Sequence, residues 1–352
     1  MTSPTSGALA ADLHPAARRE ASRRKIRAPF ELDPSLCLYS PQANVDALAH
    51  PRVASWLEFV TGGWEPLEVR GTTRRLALLL PCTRLKPYVT SREHRAINAA
   101  LLAAGWSPAW PEQPPSPLLD LLEPDEHPDV LTVSPLVRDG VALDRFVVSE
   151  PLALVPYTEA LYHGGQQSPA TSYDDPGLFE SRGTSVSPER SDCTARQAAD
   201  GSWRWGPAER AAYVRMHNEM AAHLTTAIRR LAPFYDSWTA WVSLGLTHRS
   251  FLADAGLRAD EGLPTARRGH DRMLRLTGVL DELPGAVDVL PTRRQADAAL
   301  ADLAGRLRRE GRPSGSGSVR SVFARGDGHD TPLGLPELLA RLIAHLDARA
   351  AR

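Results

Sequence analysis

Short apolar runs separated by turn residues set the pattern of hydrophobic and polar positions along this chain. Arg74 to Leu80 is the clearest run, because it is short, apolar and followed by Pro81, which predicts a buried strand. Val130 to Leu136 and Arg145 to Val148 have the same character and predict two more strands. Such strands, joined by helical segments, are typical of parallel βα units, so the pattern predicts an α/β protein.

The predicted helices have apolar residues at spacings of three and four. Pro207 to Leu231 is the clearest of them, since proline is favoured in a first helical turn and the apolar positions recur on one face. Ser91 can cap a helix from about Arg92 to Ala104. The remaining predictions are a helix over Asn44 to Val60, a strand over Trp238 to Leu246, and helices near residues 268–282, 293–310 and 335–350.

These elements predict a three-layer α/β core with a mostly parallel sheet over residues 41–232, followed by a mainly helical C-terminal region over residues 233–352. Residues 1–40 are rich in Ala, Ser, Pro and basic side chains, which predicts a disordered or extended basic arm. Its cations could bind nucleic-acid phosphates, and an ordinary solvated tail is the alternative. Residues 163–206 are rich in Gly, Ser and Pro and predict a long loop.

Composition excludes several classes of protein. The 352 residues carry a formal net charge of -1, and 42% of them are hydrophobic, as in ordinary globular proteins. No stretch approaches the roughly 20 uninterrupted apolar residues that span a bilayer, and the N-terminus lacks the layout of a signal peptide, so we expect a cytoplasmic protein without membrane contact. Cys37, Cys82 and Cys193 are odd in number and widely spaced, which argues against disulfides and against a zinc site. We predict no metal and no cofactor.

Lys86 is the most informative single residue. All but two of the 41 basic residues are arginine, and the other lysine is Lys25. A lysine retained in such a background is a candidate for a role that arginine cannot perform. It lies in the segment Pro81-Cys82-Thr83-Arg84-Leu85-Lys86-Pro87-Tyr88, directly after a predicted strand, where open α/β sheets bind their ligands. Ser91 and His94 follow shortly after it, with His94 in the first turn of the helix that Ser91 is predicted to cap.

The residues near Lys86 could carry covalent chemistry. A buried lysine shifts its pKa downward and can donate a proton or bind a carboxylate. Cys82 could become a nucleophilic thiolate if Lys86 or His94 activated it. The alternative is structural, with Cys82 as a small packed residue and Tyr88 as a core aromatic. Spacing alone does not decide between these two interpretations.

The pattern Pro81-Cys82-x3-Lys86-Pro87-Tyr88-x2-Ser91-x2-His94 resembles the signature of archaeosine synthase, an archaeal tRNA-modifying enzyme. Val148 to Pro156 resembles a second segment of that family, with Glu150 and Ala153 as departures and Glu159 matching a glutamate just after it. Tyr173-Asp174-Asp175-Pro176 resembles a family Tyr-Asp-x-Pro. The resemblance covers about residues 45–230.

The resemblance implies that the chain adds an amine, such as an amino acid, to the nitrile of 7-cyano-7-deazaguanine, free or in tRNA or a related nucleic acid. It implies catalytic roles for the four side chains that could handle the nucleophile and the protons, namely Cys82, Lys86, Tyr88 and His94. Substrate binding would fall to Pro87, Ser91, Glu150, Glu159, Tyr173 and Asp174. The alternatives are a nucleobase or nucleoside glycosidic-bond hydrolase and a non-catalytic nucleic-acid-binding protein.

Overall fold

A seven-stranded sheet forms the centre of the molecule. The computed structural model describes residues 14–175, 185–199 and 201–351. Its strands are β1 (Arg74–Pro81), β2 (Ser107–Pro108), β3 (Leu136–Arg138), β4 (Val141–Ser149), β5 (Ala153–Pro156), β10 (Ser237–Trp241) and β13 (Asp288–Leu290). In spatial order the sheet runs β13-β10-β1-β4-β3-β2, and β5 pairs with β4. The chain is therefore an α/β protein, as predicted.

Within the described ranges, three two-stranded ribbons lie outside the central sheet. They consist of β6 (Tyr162–His163) with β7 (Gln166–Gln167), β8 (Arg196–Gln197) with β9 (Trp203–Arg204), and β11 (Ala266–Arg268) with β12 (Met273–Arg275). The first two ribbons fall in the segment that the sequence predicts as a long loop. Residues 176–184 and 200 of that segment lie outside the described residues.

The helices pack on both faces of the sheet. They are α1 (Pro15–Arg23), α2 (Pro41–Ala47), α3 (Pro51–Glu58), α4 (Arg92–Ala103), α5 (Ser116–Leu119), α6 (Pro207–Leu231), α7 (Thr247–Leu252), α8 (Ala255–Glu261), α9 (Val279–Glu282), α10 (Arg293–Arg309), α11 (Ser316–Ala324) and α12 (Pro336–Ala350). Helix α12 contacts both α4 and β1, so these two helices share a face. Helix α6 packs along β5, α2 and the turn after α3.

Four strands of the sheet are parallel. β1 pairs in parallel with β4 on one side and with β10 on the other, and β10 continues to β13. The chain thus crosses from β1 to β4 in one direction and from β4 to β10 in the opposite direction. Because parallel crossovers are right-handed, connections that run in opposite directions place their helices on opposite faces. This arrangement gives the three layers.

Several predicted elements differ from the structure. The helix predicted over Asn44 to Val60 is divided into α2 and α3, because Pro51 starts a new helix that His50 caps. The strand predicted over Val130 to Leu136 begins instead as a 3₁₀ turn at Pro128–Leu131. Residues 268–282 form strand β12 and the short helix α9 instead, because Gly278 in extended conformation separates the two elements.

The predicted division at residue 232 cuts through the sheet. Strands β10 and β13 come from the C-terminal region, and β10 forms four residue pairs with β1, from Leu76↔Ser237 to Leu79↔Ala240. The buried apolar residues of both regions join one core. The C-terminal region therefore completes the sheet in addition to supplying helices.

The prediction of a disordered or extended arm fails for residues 14–40. Helix α1 forms there, and Arg18 and Ser22 are buried. Arg18 donates a hydrogen bond to the carbonyl of Val186 at 2.7 Å, and its guanidinium lies over the Tyr39 ring. These contacts exist only in the folded protein, so composition could not reveal them. Residues 1–13 lie outside the described part of the chain.

No helix within residues 14–175, 185–199 and 201–351 combines the length and apolar character that crossing a bilayer requires.

Ala153 offers a test of the fold. It starts β5 with φ of 56°, in the left-handed region that costs an L-residue about 1–2 kcal/mol and costs glycine little. Ala142, in β4, is equally buried and is absent from the positive-φ positions. We expect Ala153→Gly to lower the free energy of unfolding less than Ala142→Gly does, by about 1–2 kcal/mol. Urea denaturation of both variants measures the difference, and equal losses would contradict the assigned backbone conformation.

Candidate functional site

A cluster of polar side chains lies at the carboxyl ends of β1, β4 and β10. We call it the Lys86 cluster, and its members are Cys82, Lys86, Tyr88, Ser149, Glu150, Tyr173, Asp175 and His248. Cys82 directly follows β1, and Ser149 ends β4. The chain leaves β1 towards one face and leaves β10 towards the other, so the ends of these two strands lie at a topological switch point. Open α/β sheets bind ligands at this kind of switch point.

The thiol of Cys82 contacts an imidazole. Its Sγ lies 3.1 Å from Nε2 of His248, which follows β10 at the second position of α7. Burial raises the pKa of the Cys82 thiol, and the nearby Lys86 charge partly offsets this effect. Burial also lowers the pKa of His248 to about 4. The resting pair is therefore a neutral thiol beside a neutral imidazole that can accept its proton during attack.

Hydrogen-bond donors also surround the sulfur. The Tyr173 hydroxyl and the backbone N–H of Glu150 hydrogen-bond to Cys82, and each favours the thiolate form of the residue. Donors that are fixed in place before reaction stabilise negative charge as it develops, without a further cost of reorganisation. The surroundings of Cys82 are therefore suited to a thiolate that exists only transiently.

Lys86 is buried, with a relative exposure of 1%. Its Nζ donates a hydrogen bond to the carbonyl of Thr83 at 2.5 Å and lies 4.6 Å from the centre of the Tyr173 ring and 5.2 Å from that of Tyr88. Burial lowers the pKa of Lys86. An ammonium held in this way can release a proton far more readily than an exposed lysine.

Three hydroxyls lie in a ring beside Lys86, each within hydrogen-bond distance of the other two. The Tyr88 hydroxyl lies 3.0 Å from that of Tyr173 and 3.1 Å from Ser149 Oγ, and Ser149 Oγ lies 2.5 Å from the Tyr173 hydroxyl. Burial raises the pKa of both tyrosines, so both phenols remain protonated at neutral pH. The ring can therefore relay or donate protons, and it fixes the two aromatic faces that contact the ammonium.

Two carboxyl groups lie near the thiol. Glu150 is buried, and its side chain hydrogen-bonds to Asp175. Burial and the neighbouring charge of Asp175 raise the pKa of Glu150 well above its ordinary value. Two close carboxyl groups cannot both ionise readily, so they share a proton and one acts as an acid.

His94 and Ser91 make hydrogen bonds that hold the loop after β1 and the start of α4 in place. Nε2 of His94 lies 2.9 Å from the carbonyl of Pro81, and Nδ1 lies 2.6 Å from the Tyr157 hydroxyl. Both ring nitrogens thus have partners within the protein, with Nε2–H donating to the carbonyl and the phenol donating to Nδ1. Ser91 Oγ accepts the backbone N–H of His94 and caps α4, as predicted.

Asp174 holds the N-terminal segment in place. Its carboxylate accepts hydrogen bonds from Lys25 Nζ at 2.7 Å and 2.9 Å and from Ser22 Oγ at 2.6 Å. The backbone N–H of Lys86 donates to the carbonyl of Lys25, and the N–H of Arg27 donates to the carbonyl of Lys86. The N-terminal segment, residues 14–40, therefore packs against residues 82–87, which we call the Lys86 loop. Both lysines of the chain lie at this contact.

Glu159 lies in a different environment. Its carboxylate lies 2.9 Å from Nδ1 of His163, whose ring packs 4.3 Å from that of Phe59. His163 lines a groove of about 710 Å³ together with Arg52 and Trp56. Pro87 keeps a backbone role at the start of a 3₁₀ turn, where its carbonyl accepts the Thr90 hydroxyl.

The structure brings five predicted residues into one cluster, namely Cys82, Lys86, Tyr88, Glu150 and Tyr173. It adds His248, Ser149 and Asp175, which the sequence analysis did not select as site residues. His248 is the main omission. Its signal was its place just after the predicted strand Trp238 to Leu246, at the same sheet edge as Cys82. Pro176, the last residue of the Tyr-Asp-x-Pro pattern, lies outside the described residues.

Comparison of the chain with models of known families, with curated proteins and with solved structures gave no match. Among the described residues, no group of three or more His, Cys, Asp and Glu side chains is arranged to hold a metal ion.

The burial of His94 predicts a pH-dependent stability. Burial lowers its pKa from 6.5 to about 4, so between these values the unfolded chain binds a proton that the folded protein excludes. The stability that neutral His94 contributes is therefore complete above pH 6.5 and is lost as the pH falls towards 4. We expect the stability advantage of wild type over His94→Gln to shrink by up to about 3 kcal/mol across this range. Urea unfolding at several pH values measures it, and a constant difference would contradict the assignment.

The ion pair between Lys25 and Asp174 can be tested by a double-mutant cycle with Lys25→Met and Asp174→Asn. The side chains are 18% and 2% exposed, so we expect a coupling energy of about 1–3 kcal/mol from unfolding measurements. The exposed pair of Glu20 in α1 and Arg24, which directly follows α1, is the control and should give under about 0.5 kcal/mol. Equal couplings would mean that the segment does not close over the Lys86 loop.

Proposed function

We propose that the chain is an enzyme that adds an amine to the nitrile carbon of 7-cyano-7-deazaguanine to form an amidine. The observation that carries the proposal is the contact between Cys82 and His248, beside the buried Lys86 at the switch point of the sheet. The resemblance of the Pro81 to His94 pattern to archaeosine synthase supplies the substrate class. Free base, nucleoside and tRNA are forms of that class.

The first step uses the thiol as nucleophile. Cys82 Sγ forms a bond to the nitrile carbon while His248 Nε2 takes the thiol proton, and the C≡N triple bond becomes a C=N double bond. The nitrile nitrogen receives a proton from the imidazolium or from Lys86. The product is a neutral thioimide attached to Cys82. The donors around the sulfur stabilise the charge that develops before the proton arrives.

The second step transfers the base to the amine. A neutral amine attacks the thioimide carbon, the C–S bond breaks, and the leaving thiolate recovers a proton from the attacking nitrogen through His248. Atoms and charges balance without an oxidant or reductant. The carboxyl pair of Glu150 and Asp175 and the phenol of Tyr173 lie close enough to the thiol to take part in these proton transfers.

A glycosidic-bond hydrolase is the second candidate, and the buried carboxyl pair favours it. A protonated Glu150 could protonate a leaving base while Asp175 stays ionised and activates water, as paired carboxyl groups do in other hydrolases. A purely binding protein has less support, because α1 and the following residues use Arg18 and Lys25 for internal contacts. Release of free base from a nucleoside or tRNA would favour the hydrolase.

A covalent adduct is the decisive test. We expect the protein, incubated with 7-cyano-7-deazaguanine without amine, to gain the mass of one intact base, since addition to a nitrile expels no group. Cys82→Ala should abolish the gain, and His248→Gln should slow it by about 10²-fold or more, as is typical for loss of a general base. Intact-protein mass spectrometry measures both. Cys37→Ala and Cys193→Ala are matched controls and should label like wild type.

Adding lysine or another amino acid to the labelled protein should release the base as an amidine and restore the original mass. The proposed mechanism would be overturned if Cys82→Ala still gained the mass of the base. It would also be overturned if the wild-type protein gained no mass in the absence of amine.

A further inference from the structure

Two polar atoms next to the reactive thiol have no hydrogen-bond partner among the residues that the structure describes. They are Oε1 of Glu150 and Nδ1 of His248, and both are buried. Glu150 hydrogen-bonds to Cys82 through its backbone N–H, and His248 contacts the same sulfur through its other nitrogen. The two unsatisfied atoms therefore belong to residues that flank one sulfur atom.

The remaining groups of the Lys86 cluster are satisfied. The hydroxyls of Tyr88, Ser149 and Tyr173 bond to one another, and Lys86 Nζ bonds to the Thr83 carbonyl. His94, close by, uses both ring nitrogens. A buried acceptor without a donor costs about 1–3 kcal/mol, so an unsatisfied acceptor beside a nucleophilic thiol is a candidate contact for a bound ligand.

The open acceptor has a defined chemistry. Glu150 is 5% exposed, and its side chain already hydrogen-bonds to Asp175. With the shared proton between the two carboxyl groups, Oε1 is a carbonyl-like oxygen with two free lone pairs and no donor of its own. A ligand that satisfies it must therefore present N–H or O–H donors, and an adjacent pair of donors fits best.

We propose that Glu150, supported by Asp175, forms the subsite that recognises the N–H edge of a guanine-type base. The inference rests on the proposed function for the class of base. Guanine-type rings carry a ring N–H next to an exocyclic amino group, so one oxygen can accept from both. Adenine-type rings place a lone pair at the same ring nitrogen, which would face the Glu150 oxygen unfavourably. The subsite therefore selects the base by hydrogen bonding.

An incoming ammonium group fits the same oxygen less well. It carries three donors and a full charge, whereas Oε1 of Glu150 is one acceptor in a buried site whose carboxyl favours the neutral form. A desolvated cation needs more acceptors than one oxygen offers. The single acceptor and its buried surroundings thus favour a neutral pair of N–H groups over the charged amine donor.

The experiment measures non-covalent binding in a Cys82→Ala background, so that no adduct forms and turnover is not required. The ligands are 7-cyano-7-deazaguanine and its analogue without the 2-amino group, and isothermal titration calorimetry gives the Kd of each. We expect the Glu150-containing protein to bind the guanine-type base at least about tenfold more tightly than the analogue, because the analogue supplies one donor fewer.

Two substitutions at Glu150 separate the acceptor from the fold. Glu150→Met removes both oxygens at similar side-chain length, and the preference should fall to within about twofold. Glu150→Gln can donate its amide N–H to Asp175 while its oxygen occupies the Oε1 position, so the preference should persist. Glu337→Met is the matched control, since Glu337 in α12 has a buried carboxyl oxygen without a partner and should not affect binding.

The outcomes distinguish this inference from the proposed function. If Glu150→Met leaves the preference for the guanine-type base unchanged, the subsite is overturned. It is also overturned if Glu150→Gln loses that preference as fully as Glu150→Met does while its free energy of unfolding equals that of the Cys82→Ala protein. A higher KM for the amine with base binding unaffected would assign Glu150 to the donor and also overturn it. A clear preference for the guanine-type base without any Cys82 adduct in the wild type would uphold the subsite while rejecting the proposed chemistry.

Discussion

Burial of the Lys86 ammonium is the constraint on which the site depends. A cation at 1% exposure is costly unless its surroundings compensate for the lost water. The Thr83 carbonyl and the faces of Tyr88 and Tyr173 provide that compensation, and the backbone of Lys25 and Arg27 hydrogen-bonds to the backbone of Lys86. The ring of hydroxyls holds the two phenols in position, so it also helps to stabilise the buried ammonium.

The same desolvation sets the chemistry of the neighbouring groups. It raises the pKa of Cys82 and of Glu150, and it lowers the pKa of His248. Each group is consequently held in its neutral form while close to a partner that can exchange a proton with it. Beside the Lys86 ammonium, these three groups carry little resting charge of their own but can separate charge during a reaction, which suits addition to a polarisable carbon such as that of a nitrile.

The local pattern identified much of the scaffold because the deciding forces are local. Strand β1 and the helices α4, α6, α10 and α12 have clear periodicity or caps, and they lie where the sequence predicts them. Two errors had a common cause. Residues 14–40 were predicted as a disordered or extended arm, and the strand predicted over Trp238 to Leu246 was placed outside the core that contains the sheet. Both segments take their positions from partners distant in sequence, such as Asp174 and β1. Neither composition nor periodicity contains those contacts.

For the site, the sequence by itself determined that Cys82, Lys86 and Tyr88 follow a buried strand, because strand ends and turn residues are visible in the local pattern. It also marked Lys86 through the scarcity of lysine. Only the tertiary structure paired Cys82 with His248, which lies 166 positions further along the chain. It likewise showed that His94 hydrogen-bonds to Pro81 and Tyr157 and that Asp174 pairs with Lys25. Such pairings depend on the order of strands in the sheet, which brings distant segments to one edge, and no local pattern of residues encodes that order.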